Sequence, residues 1–364
     1  MKTEDFDFTL EPALVPEFPA ELRGRQRDCG RMIVLDRARG TIAHEVFSSI
    51  CDHLRDGDLL VLNDSYVLPN MLLFQHANRA AWVIICGHEP EGTAIVAIRP
   101  IDMPESGLVL VSADDDRLRC TLTAPLPRGL WRATFDPMDR LTQTLEQYGQ
   151  RFYRSALPAE RGSAAASPVS SSWRSTPAAY RSVYAKTPGS LQIPSAGLHF
   201  SEALLGRLAS KGVEIAYITL HVGATELLSV RAIGEPGIEQ HQVRPEFFSV
   251  GPVAAAQINR AMDEGRRVVA VGTTVLRTLE TLAVGKTSKA AIEPQTGWTD
   301  LYIYPGFRFN VADALLTNLH RPRSTHLVLT AAFAGKDLVM KSYAEMLQMR
   351  IYEFDMFGDS MLIV

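Results

Sequence analysis

The stretch 268–280, Val-Val-Ala-Val-Gly-Thr-Thr-Val-Leu-Arg-Thr-Leu-Glu, constrains the fold most, because a β-branched and small apolar run passes through Gly272 straight into a helical pattern. An unbroken apolar run suits a strand covered on both faces, as in the parallel sheet of an α/β protein. Gly272 permits backbone geometry and a close approach that a side chain would forbid. Thr273 and Thr274 then place hydroxyls, and amides without intrahelical partners, at a helix start, where an anion or polar ligand can be cradled. The same residues also make an ordinary capped turn. A phosphate-loop lysine and the spaced glycines of a dinucleotide fingerprint are both missing from the stretch, which sets aside those nucleotide loops.

At 364 residues, 46% apolar and 21% charged, the chain has enough material for two domains or one large one. Its start, Met-Lys-Thr-Glu-Asp-Phe-Asp, is acidic where a signal peptide would be basic and then apolar. No apolar run approaches the roughly 20 residues of a membrane span, so no membrane association and a cytoplasmic location are expected. Cys29, Cys51, Cys86 and Cys120 are far apart and form no Cys-x-x-Cys pair, so a zinc knuckle or redox motif is not indicated. A net charge of -4 argues against a uniformly basic nucleic-acid binder and leaves room for a local basic groove.

The pattern along the chain predicts short α/β strands at 32–36 and 59–62 around a helix at 44–54. From about 66 to 150 short alternating segments, among them 94–99, 108–112, 118–122 and 131–135, are broken by Pro, Gly and Asp, as in a small β-barrel or sandwich. An Ala/Ser/Pro tract at 156–177, densest at 163–172, has little to bury and reads as a flexible linker. The α/β rhythm then returns: a helix at 202–211 capped by Ser201 and ended by Gly212, a strand at 214–222, helices near 253–264 and 337–349, and an apolar final strand. The expected fold class is therefore α/β and β, with a larger discontinuous unit of residues 1–65 and 151–364 and a smaller inserted β unit of 66–150.

Polar clusters sit at the ends of these apolar elements. His199 follows Ser195-Ala196-Gly197-Leu198 just ahead of a helix, where it can meet a ligand or cap a neighbour. His221 follows Thr219-Leu220 at a strand end, where α/β proteins tend to place ligands, and alternation puts Thr219 and His221 on one face. His241 and Glu246 can act as a base and its orienter or form a surface ion pair. The run 313–325 packs Asn318, His320, Arg321, Arg323, Ser324 and Thr325 into a Pro-broken loop, whose guanidiniums can bind phosphate or carboxylate. Asp359 precedes the apolar Met361-Leu362-Ile363 and can hold a ligand or make a turn. Zinc-protease spacing and a Gly-x-Ser-x-Gly elbow are absent, so metal hydrolysis and serine-hydrolase chemistry are weak candidates.

In order along the whole chain, several motifs resemble the S-adenosylmethionine:tRNA ribosyltransferase-isomerase family of queuosine biosynthesis, the QueA type. They are Asp58-Leu59-Leu60-Val61-Leu62-Asn63-Asp64, Val183-Tyr184-Ala185, Ala196-Gly197-Leu198-His199-Phe200, Thr219-Leu220-His221-Val222-Gly223, and Ala270-Val271-Gly272-Thr273-Thr274 with Arg277, Leu279 and Glu280. Tyr304-Pro305-Gly306, Thr317-Asn318-Leu319-His320 with Pro322, Ser324 and Thr325, and Gly358-Asp359 continue the match. The resemblance implies that S-adenosylmethionine acts as a ribosyl donor and co-substrate, without a metal. The acceptor would be 7-aminomethyl-7-deazaguanine in tRNA, and the products epoxyqueuosine, adenine and methionine. It implies a donor pocket of Gly272, Thr273, Thr274 and Arg277 with Tyr304 and Asp359, proton transfer by His199 and His221, and an acceptor side of Asn318, His320, Ser324 and Thr325.

The chain departs from the family pattern where positive charge is lost. Tyr66 and Met71 stand where the family has arginines, Thr225-Glu226-Leu227 replaces Gly-Thr-Phe, Arg244 replaces a second histidine, and Glu353 replaces the arginine of Tyr-Arg-Phe. Because Lys and Arg contacts to phosphate supply much nucleic-acid affinity, these losses bear on tRNA more than on the donor. A paralogue that modifies a small-molecule amine with S-adenosylmethionine is the alternative reading, and a non-catalytic binding protein a third.

Overall fold

A computed structural model describes residues 1–77, 79–90, 92–99, 104–150, 177–223, 232–286 and 289–364. The first strands of the larger unit are β1 (Arg31–Asp36), β2 (Thr41–Val46) and β3 (Leu59–Asn63), with β4 (Ser65–Val67) directly after. Then come β5 (Met71–His76), β6 (Arg79–His88), β7 (Thr93–Arg99), β8 (Val109–Ser112), β9 (Arg119–Leu126) and β10 (Leu130–Asp136), which close a barrel in the order β10-β7-β6-β5-β8-β9. After the barrel lie β11 (Thr187–Ser190), β12 (Glu214–Leu220), β13 (Glu246–Val250), β14 (Val268–Val271), β15 (Gln295–Thr299), β16 (Ala314–Asn318) and β17 (Ser360–Ile363).

The larger sheet has nine strands in the order β15-β13-β12-β3-β14-β16-β17-β1-β2. At its centre β12, β3, β14 and β16 run parallel, so their carboxyl ends emerge together. These strands are apolar because both faces are covered: every residue of β3, β14 and β16 is buried. Alternation divides β3 between two cores. Leu59 and Val61 face one with α4 (Pro252–Asp263), α5 (Thr273–Leu282), α6 (Thr325–Ala334) and α7 (Lys336–Met349), whereas Leu60 and Leu62 face the other with Phe47, Phe200 and α3 (Glu202–Ser210). The barrel has its own interior of Leu72, Phe74, Val83, Val96, Leu122 and their neighbours, onto which α2 (Met138–Tyr148) packs Leu141 and Leu145. β4 and β11 pair in parallel as a separate two-stranded sheet.

The helix expected over 44–54 is a correction. Thr41–Val46 is an edge strand paired with β1, and the helix α1 spans only Ile50–His53 after a single 3₁₀ turn. Phe47, Ile50, Cys51 and Leu54 do bury one helical face, but the β-branched Thr41, Ile42 and Val46 before them belong to the sheet. Ser201 does cap α3, its hydroxyl accepting the Leu204 N–H at 3.1 Å. The tract at 163–172 and the Thr225-Glu226-Leu227 departure lie outside the described residues.

Candidate functional site

The end of β14 opens a cleft. Gly272 takes φ +91°, a region costly for side-chain-bearing residues, and a Cβ there would meet Thr274 Oγ1 at 3.3 Å and Ala196 Cβ at 3.4 Å. No side chain caps α5, so the first-turn amides beyond Gly272 keep the polarity of an open helix start. The carboxyl ends of β3, β14 and β16 bring Asn63, Thr273, Thr274, Thr317 and Asn318 around a cleft of about 620 Å³, with Tyr184, Gln192, His320, His326 and Asp355 completing its polar lining. Ligands of open α/β sheets gather at such carboxyl ends.

The polar groups differ in how far they are committed. Asn63 holds the end of β12: its Nδ2 donates to Leu220 O and its Oδ1 accepts from Leu220 N, each at 3.0 Å. Asn318 is 4% exposed, and its Nδ2 donates to the Asp355 and Met356 carbonyls at 3.1 and 3.2 Å. Its buried side chain also engages the His199 imidazole. The ring of His320 stacks on His326 at 5.3 Å, and its Nε2 lies 2.9 Å from Thr317 Oγ1.

Of the two histidines expected to move protons, His199 lines an adjoining cleft, whereas His221 lines none of the three clefts of this region. His199, buried at the end of a 3₁₀ turn over Ser195–His199, stacks on Phe47 at 4.9 Å. Burial pushes its pKa down to about 4, with the Asn318 side chain opposing the shift, so it is neutral at pH 7. His199 lines an adjoining cleft of about 460 Å³ with Arg23, Arg25, Arg27 and Asp359, which shares Ser195 and Met356 with the first. His221 stacks on Phe247 at 5.3 Å, and its Nδ1 lies 2.8 Å from Ser65 Oγ. Burial, then the charge of His88, lowers its pKa to about 4. Asp359 is a clamp, accepting Arg31 N–H on Oδ1 at 2.7 Å and Glu353 N–H on Oδ2 at 2.8 Å, and burial lifts its pKa to about 6.

A third cleft, of about 610 Å³, shares Val222, Thr273, Thr274 and His326 with the first. Arg277 and Thr325 line it with Arg244, Glu246 and Tyr302. Arg277 Nη1 pairs with Glu246 Oε2 at 2.5 Å and Nη2 donates to Thr299 O at 2.7 Å, while Glu246 Oε1 accepts the Gly223 N–H at 2.7 Å. The suggested pairing of His241 with Glu246 is thus corrected: His241 Nδ1 lies 2.9 Å from Glu235 Oε2, because Arg277 takes Glu246. Ser324 caps α6, accepting Leu327 N–H at 3.2 Å and donating to Arg321 O at 2.8 Å. Tyr304 is exposed beside Tyr302, outside the cleft linings. The guanidiniums of Arg321 and Arg323 are spent on Asp355 and Asp7.

His326, Asp355 and Gln192 were not singled out from sequence. His326 had a signal in its place two residues after the capping Ser324, on the first turn of a helix; Asp355 and Gln192 had none. Among the described residues no group of three or more His, Cys, Asp or Glu is placed to hold a metal ion, and no helix is long and apolar enough to cross a membrane.

Comparison with known proteins covers the same ground end to end. A family model described as "Queuosine biosynthesis protein" matches residues 3–363. The S-adenosylmethionine:tRNA ribosyltransferase-isomerase of Natranaerobius thermophilus is 36% identical over 366 residues, covering 100% of this chain and 99% of that one. The enzyme of the same name from Symbiobacterium thermophilum is 38% identical over 366 residues, with 100% of both chains covered. The crystal structure of S-adenosylmethionine tRNA ribosyltransferase from Thermotoga maritima, 33% identical, superposes with a TM-score of 0.53 over 99% of this chain and 100% of that one.

Proposed function

The chain belongs to the queuosine biosynthesis protein family, and on that premise we propose that it transfers the ribosyl group of S-adenosylmethionine to 7-aminomethyl-7-deazaguanine in tRNA. The products are epoxyqueuosine, adenine and methionine. The observation that carries this reading is full-length similarity to relatives so named, together with the gathering of the shared Gly272-Thr273-Thr274 and Asn318-Leu319-His320 motifs around one cleft.

The sulfonium acidifies the neighbouring ribose carbon and supplies the leaving-group chemistry, so the protein has to orient, exclude water and move protons. Gly272 lets the ribosyl group approach the backbone, and the first-turn amides with the Thr273 and Thr274 hydroxyls fix it. Arg277, through Glu246, keeps the adjoining wall in place. Asn318, His320 and Thr325 face the reacting partners, while Ser324 acts by holding α6. His199 and His221 are neutral at pH 7 and so in the form that accepts a proton. Tyr304 and Asp359 support the pocket from outside it. We take residues 1–65 and 151–364 as the donor-binding unit and 66–150 as an inserted barrel unit, in a cytoplasmic enzyme.

The test is a product assay by mass spectrometry with S-adenosylmethionine and tRNA carrying the aminomethyl-deazaguanine base. Epoxyqueuosine with stoichiometric adenine and methionine is expected. Adenine release without tRNA modification would transfer the acceptor role to a small-molecule amine, and a protein that forms no product would lose the assignment.

A further inference from the structure

At its β15 end the nine-stranded sheet leaves one face open. Along β13, Phe248 and Val250 are buried in the helical core, whereas Phe247 and Ser249 point to the opposite face and are only half-buried. The pairing registers carry that face across three strands. Thr219, Ser249 and Thr296 form one row, and Phe247 stands beside Trp298 in the next, with His221 stacked on Phe247 at 5.3 Å. Thr296 is exposed and Trp298 half-buried although both belong to a strand. The rings of Phe247 and Trp298 meet at 5.8 Å and 76°, so they are not stacked and Trp298 keeps its stacking surface. Tyr217 continues the face along β12, with the Lys186 ammonium 4.9 Å from its ring centroid.

Cations flank these rings. Lys186 and Arg244 are exposed, and neither enters an ion pair among the described residues. The acids of the neighbourhood are engaged elsewhere: Glu89, whose charge senses Arg244, is held by Arg132, and Asp64, beside Tyr217, accepts the Thr219 hydroxyl at 2.7 Å. Arg244 also lines the cleft of about 610 Å³, and Val222, directly after His221, lines both clefts that meet at Thr273, so the open face runs into the site. Rings, hydroxyls and unpaired cations on an open sheet face suit unpaired nucleotides, since any base can stack on a ring and the cations meet the phosphates.

We infer that this face holds the unpaired nucleotides that flank the modified base of the tRNA, with one base stacked on Trp298 and phosphates beside Lys186 and Arg244. The assignment rests on the tRNA reading above and goes further by giving the RNA a surface of its own beside the clefts.

Fluorescence anisotropy with labelled tRNA and calorimetry with S-adenosylhomocysteine separate the two partners. Trp298→Ala should weaken tRNA about tenfold or more, Trp298→Phe should restore most of that loss, and both variants should bind S-adenosylhomocysteine as the wild type does. Lys186→Ala should make the fall of log affinity with log salt shallower by about 0.7. Lys186 is exposed, so its replacement keeps the test decisive even where Trp298→Ala fails to fold. Wild-type tRNA affinity in Trp298→Ala, or an unchanged salt slope in Lys186→Ala, overturns the assignment. So does an equal loss of tRNA and S-adenosylhomocysteine in Trp298→Ala, which would make that ring structural. A dimer that Trp298→Ala dissociates in sedimentation without any change in tRNA affinity would give the face to a second copy of the chain. A wild-type chain that binds no tRNA overturns the acceptor reading itself, and that result differs from one in which the wild type binds tRNA and the variants bind it equally well.

Discussion

Gly272 and His199 show how single residues set the site and its sensitivity. Gly272→Ala keeps nearly enough room but forces a side chain into φ +91°, so a loss of about 1–3 kcal/mol in urea unfolding is expected, along with weaker donor binding. His199 has an ordinary pKa near 6.5 when unfolded and about 4 in the fold. As pH falls through that window the unfolded chain takes up a proton first, so stability present above about 6.5 is lost as pH drops through about 4. The loss is of order 3 kcal/mol at most. Urea midpoints at pH 7.5 and 4.5 should therefore converge in a His199→Gln variant relative to wild type. Sequence gave away Gly272, Thr273 and Thr274 because a strand-to-helix turn has a local signature. It could not show that Asn318 engages the His199 imidazole or that Asp359 spends both oxygens on backbone, since those depend on partners far along the chain. Nor could it show that Arg181 sits 3.9 Å over the ring of Tyr66, placing a positive charge beside that residue.

Among the elements, α5 does two jobs with opposite ends. Its start opens on the clefts, and Glu280 near its end is fully buried, accepting the N–H groups of Asn310, Val311 and Ala312 at 2.7, 3.1 and 3.1 Å. Glu280 thereby fixes the segment leading into β16 and so the height at which Asn318 emerges. Glu280→Ala leaves those donors unmatched and should cost about 3 kcal/mol or more in urea unfolding, with Glu280→Gln milder. Element identity was largely legible where periodicity was long or caps were present, as with Ser201 before α3. It failed over 44–54, where a strand and a short helix share one apolar periodicity and only pairing with β1 decides the boundary.

The whole molecule combines a closed barrel with its own apolar interior and a nine-stranded sheet with a core on each face. Separate cores imply separate cooperative units, so calorimetry should resolve two unfolding transitions. Leu122→Ala, which empties a fully buried barrel position, should lower only one of them, at a cost of about 2–5 kcal/mol. A single transition that moves as a whole would instead show the units to be coupled. The change from α/β rhythm to short alternating segments was visible in the sequence. The meeting of two clefts at Thr273 and Thr274, just beyond β14, was not, because it follows from strand order, which a linear pattern does not encode.

Strand order also bears on how the chain is made. β17 lies between β16 and β1, yet the ribosome produces β1 before the entire barrel and β17 long after it. The barrel has all its strands early, whereas β1 and β16 must each wait with an open edge for the same late segment. A nascent chain halted before Ser360 would therefore carry two unpaired apolar edges, the kind of surface that other chains adhere to, and the cell's exposure to that hazard ends only when β17 slots in.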